Sequence, residues 1–268
     1  MMDQQLHLNI LEWMEEAAEN LRQSLQKVLQ VEEKTNAADL VTEMDKATEA
    51  YFVEKIRHHY PAHRMTGEEG LADPIKDTKG TIWVLDPIDG TLNFVKQKNH
   101  FGIMLGIFQD GQPLAGYIYD VMNHDLYYGL VGQGAFLNHE PLKPIPVTRI
   151  EESLVCANVG MCVRNLCNVM QVVDRALGVR TYGAAAISII SVIRGENAVY
   201  LSSNLNPWDF GAGWAICQAM GFKASQPNGE SLDILTKTPV VFAHPNVYNE
   251  VVELIATSRE IGEINEHA

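Results

Sequence analysis

Residues 81–95, TIWVLDPIDGTLNFV, constrain this chain more than any other stretch, because they set two carboxylates at the end of a covered strand. Ile82, Trp83, Val84 and Leu85 form a short apolar run suited to such a strand, and Pro87 forbids its continuation into a ladder. Gly90 frees the backbone to bend, and Thr91 offers a hydroxyl and an N–H where the next element starts. Asp86 and Asp89 thus share one turn, where at neutral pH they repel each other and require cations. The usual hard partner of clustered carboxylates is Mg2+, which also bridges to phosphate oxygens. Taken alone, D-P-x-D-G is equally compatible with an ordinary Asp/Pro/Gly turn.

Three other acidic features favour the cation reading. Gly67-Glu68-Glu69-Gly70 adds an acidic pair upstream; Asn206-Pro207-Trp208-Asp209-Phe210-Gly211 supplies a far acid opening a helix; Asp39-Leu40-Val41-Thr42 followed by Asp45 adds another. With these in place the chain resembles the inositol monophosphatase family, the metal-dependent, lithium-sensitive sugar and nucleotide phosphatases. Its two signatures, W-x-x-D-P-x-D-G-T-x-N-F and a late W-D-x-x-A/G-G, stand here from Trp83 to Phe94 and from Trp208 to Gly213. The likeness holds in order and spacing from the first helix to the region after Gly221, nearly the whole chain. It implies an α/β (α+β) fold, a layered α-β-α-β-α sandwich with the active site between two halves.

Composition is compatible with this. A chain of 268 residues, 46% hydrophobic, suits one large or two modest domains with a real core. A formal net charge of −14 argues against a nucleic-acid surface, since phosphate backbones are bound by Lys and Arg, and it suits a metal-loading pocket. Cys156, Cys162, Cys167 and Cys217 lack C-x-x-C spacing and are read as small buried side chains; a zinc or redox site is the alternative for the first three. The start MMDQQLHLNI has no basic then apolar signal region, so a reducing cytoplasm is expected, and no apolar stretch approaches a membrane span.

Apolar residues recurring at three and four from Leu6 to Leu29, Val28 included, predict one long amphipathic helix, whose stripe is core or subunit contact. A second helix is predicted over 42–59, with Thr42 and Asp45 spaced as a capping box. Strands at 101–108, 113–121 and 126–131, turned by Asp110-Gly111 and Asn123-His124-Asp125, predict an antiparallel meander. Gly132-x-Gly134 lacks the third glycine of a nucleotide loop and reads as a turn. Pro141, Pro144 and Pro146 mark 140–152 as the boundary between an N-terminal α+β half, 1–147, and a C-terminal α/β half, 148–268. Beyond it, strands are expected at 153–157, 197–201, 222–225 and 240–243. Helices are expected at 163–177, 184–193, 209–220 and 247–258, the first three stopped by Gly178, Gly195 and Gly221.

Phosphate monoester hydrolysis is among the slowest uncatalysed reactions, accelerated by enzymes up to ~10²¹-fold, so charge stabilisation must dominate. By the family likeness, Glu68, Asp86 and the carbonyl of Ile88 form a first Mg2+ site; Asp86, Asp89 and Asp209 form a second; Glu68 alone among protein groups holds a weaker third ion. Two to three Mg2+ per site are therefore expected, with Asp86 bridging two, a geometry that clamps the attacking and leaving oxygens. Three such ions exceed the four carboxylates by about two charges, the charge of a phosphate dianion. The likeness places the attacking water on metal, where its pKa falls. The expected catalytic residues are Thr91, Asp45 and Glu68, the Thr91–Asp45 pair orienting the water and accepting its proton; capping its own helix is the plain alternative for Asp45.

The N–H groups of Gly90 and Thr91 are expected on phosphate oxygens, and Gly183, Ala184, Ala185, Ala186 and Asp209 against the rest of the substrate. Lys34 matches a lysine on the family's mobile metal-binding loop, with solvated surface as its alternative. In inositol-specific members a glutamate seven residues before the late aspartate accepts from ring hydroxyls; here that position is Ser202, which cannot supply a charged acceptor. Arg180 faces a second phosphate or is exposed and structural. The leading expectation is a Mg2+-dependent phosphomonoesterase acting on inositol monophosphate or related small sugar phosphates. Its rivals are a phosphatase for fructose 1,6-bisphosphate, NADP or 3′-phosphoadenosine 5′-phosphate, and a catalytically weak regulatory protein on the same fold. The expected partner is a small-molecule phosphate ester, with neither nucleic acid nor membrane, and the family likeness implies a lithium-sensitive homodimer.

Overall fold

The computed structural model describes residues 2–34, 36, 40–72 and 74–256. Asp39 and residues 257–258 of the last predicted helix lie outside the described residues.

Period-two alternation in one strand divides the N-terminal core. β3 (Arg64–Gly67) lies parallel to β4 (Thr81–Asp89), and β5 (Gly102–Gln109), β6 (Gln112–Asp120), β7 (Asp125–Leu130), β8 (Gly134–Leu137) and β9 (Glu140–Pro141) follow antiparallel in chain order, giving seven strands. Trp83 and Leu85 of β4 point to the face covered by α1 (Gln4–Ser24) and α2 (Glu43–His59), while Ile82 and Val84 point to the opposite face with Phe108. A small antiparallel pair, β1 (Val31–Glu33) and β2 (Leu40–Thr42), links the two helices. The short α3 (Thr91–Lys96) follows β4 directly.

The second face of this sheet carries α6 (Ala185–Ile193) and α7 (Pro207–Met220). α7 approaches closely because Gly106, Gly116 and Gly129 are register partners across β5, β6 and β7. A Cβ on Gly116 would stand 2.1 Å from the Ala212 carbonyl oxygen, and one on Gly129 2.6 Å from Ile216 Cα. A side chain at either position would push the helix, and Asp209 at its start, off the sheet.

The same helices pack on a five-stranded sheet ordered β11 (Gly178–Arg180), β10 (Leu154–Ala157), β12 (Val199–Leu205), β14 (Thr238–Ala243), β13 (Lys223–Ser225). Its first three strands are parallel and the last two pairings antiparallel. α4 (Val159–Val163), α5 (Val169–Val173) and α8 (Pro245–Ala256) cover its far face. The layers therefore run α-β-α-β-α, with α6 and α7 between the sheets.

Two expected helices are corrected. α1 ends at Ser24 rather than near Leu29: Lys98 Nζ takes the Leu25 carbonyl at 3.1 Å, and Val28 is 94% exposed, outside the stripe. The helix expected over 163–177 is instead α4, one 3-10 turn, α5 and then strand β11, which Gly178 opens rather than stops. Asn165, Cys167 and Asn168 adopt left-handed φ of 46–51°, and Asn165 Oδ1 accepts from the Met170 N–H. Asparagine offers the backbone such local partners in place of a helix. Likewise Pro87 does not end β4. Pairing with β5 breaks between Asp86↔Met104 and Asp89↔Gly102, a bulge that keeps the strand going while re-aiming its acids.

Candidate active site

Three carboxylates converge where β4, α6 and α7 meet. One oxygen from each of Asp86, Asp89 and Asp209 lies within 4.8 Å of the others, from positions as far apart in sequence as β4 and the first turn of α7. Each acid keeps one oxygen engaged. Asp86 Oδ1 accepts from the Ile88 N–H at 3.0 Å, Asp89 Oδ2 from the Ala186 N–H at 2.6 Å, and Asp209 Oδ2 from the Asn206 N–H at 2.8 Å. The Asp89 contact places its charge at the start of α6, where unpaired N–H groups favour an anion. Burial first, and then the neighbouring carboxylates, push all three acids above the ordinary Asp range. Hard oxygen donors with raised proton affinity at so short a spacing fit a divalent cation, because a cation relieves the repulsion that otherwise draws protons.

Glu68 stands outside this group. Lys34 Nζ lies 2.9 Å from Glu68 Oε1 and 2.5 Å from Glu69 Oε1, so one ammonium is shared by the acidic pair and offsets part of its charge. Burial opposes the Lys34 charge, yet its bonds to Glu69 and Glu68 outweigh that and raise its pKa. The charge of Glu68 still reaches Asp86, where after burial it is the largest upward influence.

Behind Glu68 stands a residue that sequence reasoning missed. Glu49 of α2 is fully buried and accepts from the N–H groups of Glu69 at 2.7 Å and Leu71 at 2.8 Å, tying down the loop that carries Glu68. Gly67 makes room for it, since a Cβ there would meet the Glu49 carboxylate at 2.5 Å. The signal was present in the sequence: Asp45 and Glu49 fall on the helical stripe of Phe52, Val53 and Ile56, two acids at core positions.

Asp45 both caps α2 and faces the site. Its Oδ2 accepts from the Thr42 N–H at 2.7 Å and the Thr42 hydroxyl at 2.6 Å, while Oδ1 lies 3.0 Å from Thr91 Oγ1. Thr91 Oγ1 is also 3.1 Å from the Ile88 carbonyl. One proton serves one acceptor, and a carboxylate is the stronger. Burial pushes Asp45 up to about 6 against the pull of its threonine partners.

Gly90 turns the chain at φ 88°, and a Cβ there would stand 2.9 Å from Ala184 Cβ, so the turn abuts α6. Asn93 locks this junction by donating to the carbonyls of His100 at 2.9 Å and Tyr182 at 2.8 Å. A cleft of about 270 Å³ opens beside the acids, lined by Asp89, Asp209, Gly183, Ala184 and Ala185 among others. Asp86, Ile88, Gly90, Thr91, Asp45 and Glu68 lie outside its lining. Its far wall holds Asn158 and Ser202, whose Nδ2 and Oγ are 3.2 Å apart; this pairing of residues 44 apart was invisible in sequence. Arg180 is exposed, donates to the Val179 carbonyl and does not line the cleft.

A carboxylate cluster between two sheets, beside a cleft lined by small residues, defines a metal-dependent hydrolase of phosphate esters as a class. The chain belongs to the inositol monophosphatase family, whose model matches residues 3–262, and with that family it is a phosphoric monoester hydrolase. It is 36% identical to the inositol-1-monophosphatase of Bacillus subtilis (strain 168) over 245 residues, 90% of this chain and 92% of that one. The 2′AMP-bound SaIMPase-II structure superposes with a TM-score of 0.86 at 33% identity, covering 98% of this chain and 99% of that one. An IMPase/NADP phosphatase complexed with Mg2+ and phosphate gives a TM-score of 0.86 at 26% identity, over 94% and 95%. Among the described residues no helix is long and apolar enough to cross a membrane.

Proposed function

We propose that the chain hydrolyses small phosphate monoesters, inositol monophosphate and related sugar phosphates among them, using two to three Mg2+ held by Asp86, Asp89, Asp209, Glu68 and the Ile88 carbonyl. The observation that carries this reading is the convergence of three carboxylates, two buried and one half-buried, from distant segments within 4.8 Å. When bound, the ions neutralise the ester and lower the pKa of the attacking water.

The chain's own residues supply the rest. Thr91 donates to Asp45 Oδ1 and so presents an oxygen lone pair toward a water; the proton that water loses passes through Thr91 to Asp45. Asp45, with Oδ2 already holding Thr42, is fixed in orientation for this transfer. The N–H groups of Gly90 and Thr91 hold phosphate oxygens at the start of α3. Gly183, Ala184, Ala185 and Asp209 face the leaving alcohol. Glu68 would hold the third ion in place of the Lys34 ammonium, the cation with which it pairs in this structure.

In the same reading residues 1–147 carry most of the metal ligands, residues 148–268 complete the site, and the enzyme works as a lithium-inhibited cytoplasmic homodimer. The four free thiols suit a reducing compartment. NADP and 2′-nucleotides, named for the two solved relatives, are the second substrate reading, favoured by the uncharged Ser202 where inositol-specific members have a glutamate. Phosphate release from inositol 1-phosphate, fructose 1,6-bisphosphate, NADP and 3′-phosphoadenosine 5′-phosphate, with Mg2+ titrated, tests the proposal. Mg2+-dependent turnover of the sugar phosphates is expected; release confined to the nucleotides would replace the inositol reading, and none from any ester would leave a binding protein.

A further inference from the structure

We propose that a hollow between α1 and α2, apart from the catalytic cleft, is a second ligand site that takes a small zwitterion with an apolar body, an α-amino acid with an apolar side chain being the simplest. No residue lining it also lines the cleft, and the proposal does not depend on the phosphatase reading.

The hollow is the roomier of the two, about 320 Å³ against about 270 Å³. Small-molecule sites start at about 300 Å³. It opens between the last turns of α1 and the first turns of α2, where small residues line it: Ala17 on α1 and Ala47 on α2, with Met44 and Leu29 completing an apolar floor. Met44, Ala47 and Tyr51 recur at three and four residues and so share one side of α2, while Asp45 and Glu49 recur at four on another. One helix thus keeps its acids for the catalytic end and lends an apolar stripe to the hollow.

The polar lining around this floor is uncommitted. Among the described residues, neither the Asn20 amide nor the Lys27 ammonium has a hydrogen-bond or ion-pair partner. Glu43 also lines the hollow. Its Oε2 accepts from the Gln30 N–H at 2.7 Å, which holds the carboxylate beside the segment 25–30 that carries Lys27, and leaves Oε1 to accept from a ligand. Lys27 and Glu43 are therefore opposite charges beside one hollow that do not neutralise each other. A carboxylate suits Lys27 and Asn20, which are donors; an ammonium suits Glu43, an acceptor. A plain anion would be repelled by Glu43 on a chain of net charge −14, and a plain cation would be repelled by Lys27. A zwitterion matches both, and its apolar part covers Ala17, Met44 and Ala47.

Isothermal titration calorimetry on the full chain tests this with L-phenylalanine and L-leucine as probes. Two comparison ligands each lack one charge: 3-phenylpropionate has no ammonium and 2-phenylethylamine no carboxylate. The variants are Lys27→Gln and Glu43→Gln, both at exposed positions, and Ala47→Leu, which fills the floor; melting temperature checks that each folds. One molecule of amino acid per chain is expected to bind with a Kd of about 1 mM, and loss of either charge from phenylalanine should weaken binding at least fivefold. Lys27→Gln should weaken phenylalanine as much while leaving 2-phenylethylamine unchanged, Glu43→Gln should do the converse with 3-phenylpropionate, and Ala47→Leu should abolish binding. Absence of saturable binding of both amino acids up to about 20 mM overturns the proposal. So does equal binding of phenylalanine and its two singly charged analogues, or phenylalanine binding unchanged in both Lys27→Gln and Glu43→Gln. Phosphate release does not enter the readout, so either result leaves the phosphatase reading where it stands.

Discussion

The acid end of the cleft and its alcohol end are held by different means. At the acid end, each carboxylate is fixed by a backbone N–H and set among like charges, Asp89 by the start of α6 and Asp209 by its own capping turn. At the alcohol end, Asn158 and Ser202 are neutral and held by each other, on segments that leave helix and strand within a few residues. The first arrangement stores repulsion that a cation relieves; the second stores none. Chemistry is therefore expected to fail sharply when the acid end is altered, whereas changes at the alcohol end redistribute substrates.

The largest effect expected is that of Asp89→Asn. An asparagine oxygen can keep the bond to the Ala186 N–H but carries no charge, so kcat should fall by ~10³-fold or more with an unchanged or higher melting temperature without metal. Near-normal steady-state kcat would remove Asp89 from the chemistry. Next comes Asp45→Asn, which retains a cap for α2 but no longer takes a proton through Thr91. Here kcat should drop by ~10²-fold or more while the Mg2+ concentration for half-maximal rate barely moves; a larger shift in Mg2+ requirement than in kcat would recast Asp45 as a metal-supporting group.

Glu49→Gln sharpens the comparison at the edge of the acid end. Loosening the loop at Glu69 and Leu71 should raise the Mg2+ requirement by ~10-fold or more, with kcat at saturating Mg2+ nearly kept. An unchanged Mg2+ titration would make Glu49 a fold residue alone. The smallest effect is a pH dependence. Asp86, Asp89 and Asp209 have raised proton affinity in the folded chain, so their contribution to stability is present at low pH and is lost as pH rises through the raised values. The gain in Tm from saturating Mg2+ should accordingly be a few degrees larger at pH 8 than at pH 5.5, where protons compete for the same oxygens. An equal gain at both pH values would show that these acids are not the binding groups.

The sequence reveals the acid end far better than the alcohol end, and for physical reasons. The apolar run from Ile82 to Leu85, the bend at Gly90 and the acid at the start of the helix carrying Asp209 are local patterns, so the turn and the helix opening could be read directly. The family likeness rested on the two signatures, and the layered fold was what that likeness implied. By contrast, residues 163–177 look helical in hydrophobic spacing, and the left-handed Asn165, Cys167 and Asn168 break them. Asn158 meets Ser202 across 44 residues through strand pairing of β10 with β12, which no local spacing encodes. Glu49 lies on the apolar stripe of its helix, and the sequence does not distinguish a buried acid there from a solvated one at the stripe's edge. The glycines at 106, 116 and 129 look like scattered turn residues until sheet register aligns them beneath α7.

The central claim is that Asp86, Asp89 and Asp209 jointly chelate the ions on which hydrolysis depends. Anomalous diffraction from crystals soaked in Mn2+, a carboxylate-seeking stand-in for Mg2+, tests it most directly. The account predicts at least one Mn2+ peak in coordination range of both Asp86 and Asp209, lost in Asp89→Asn crystals or shifted away from residue 89. Metal-supported activity from crystals whose only Mn2+ peaks lie away from all three acids would contradict it.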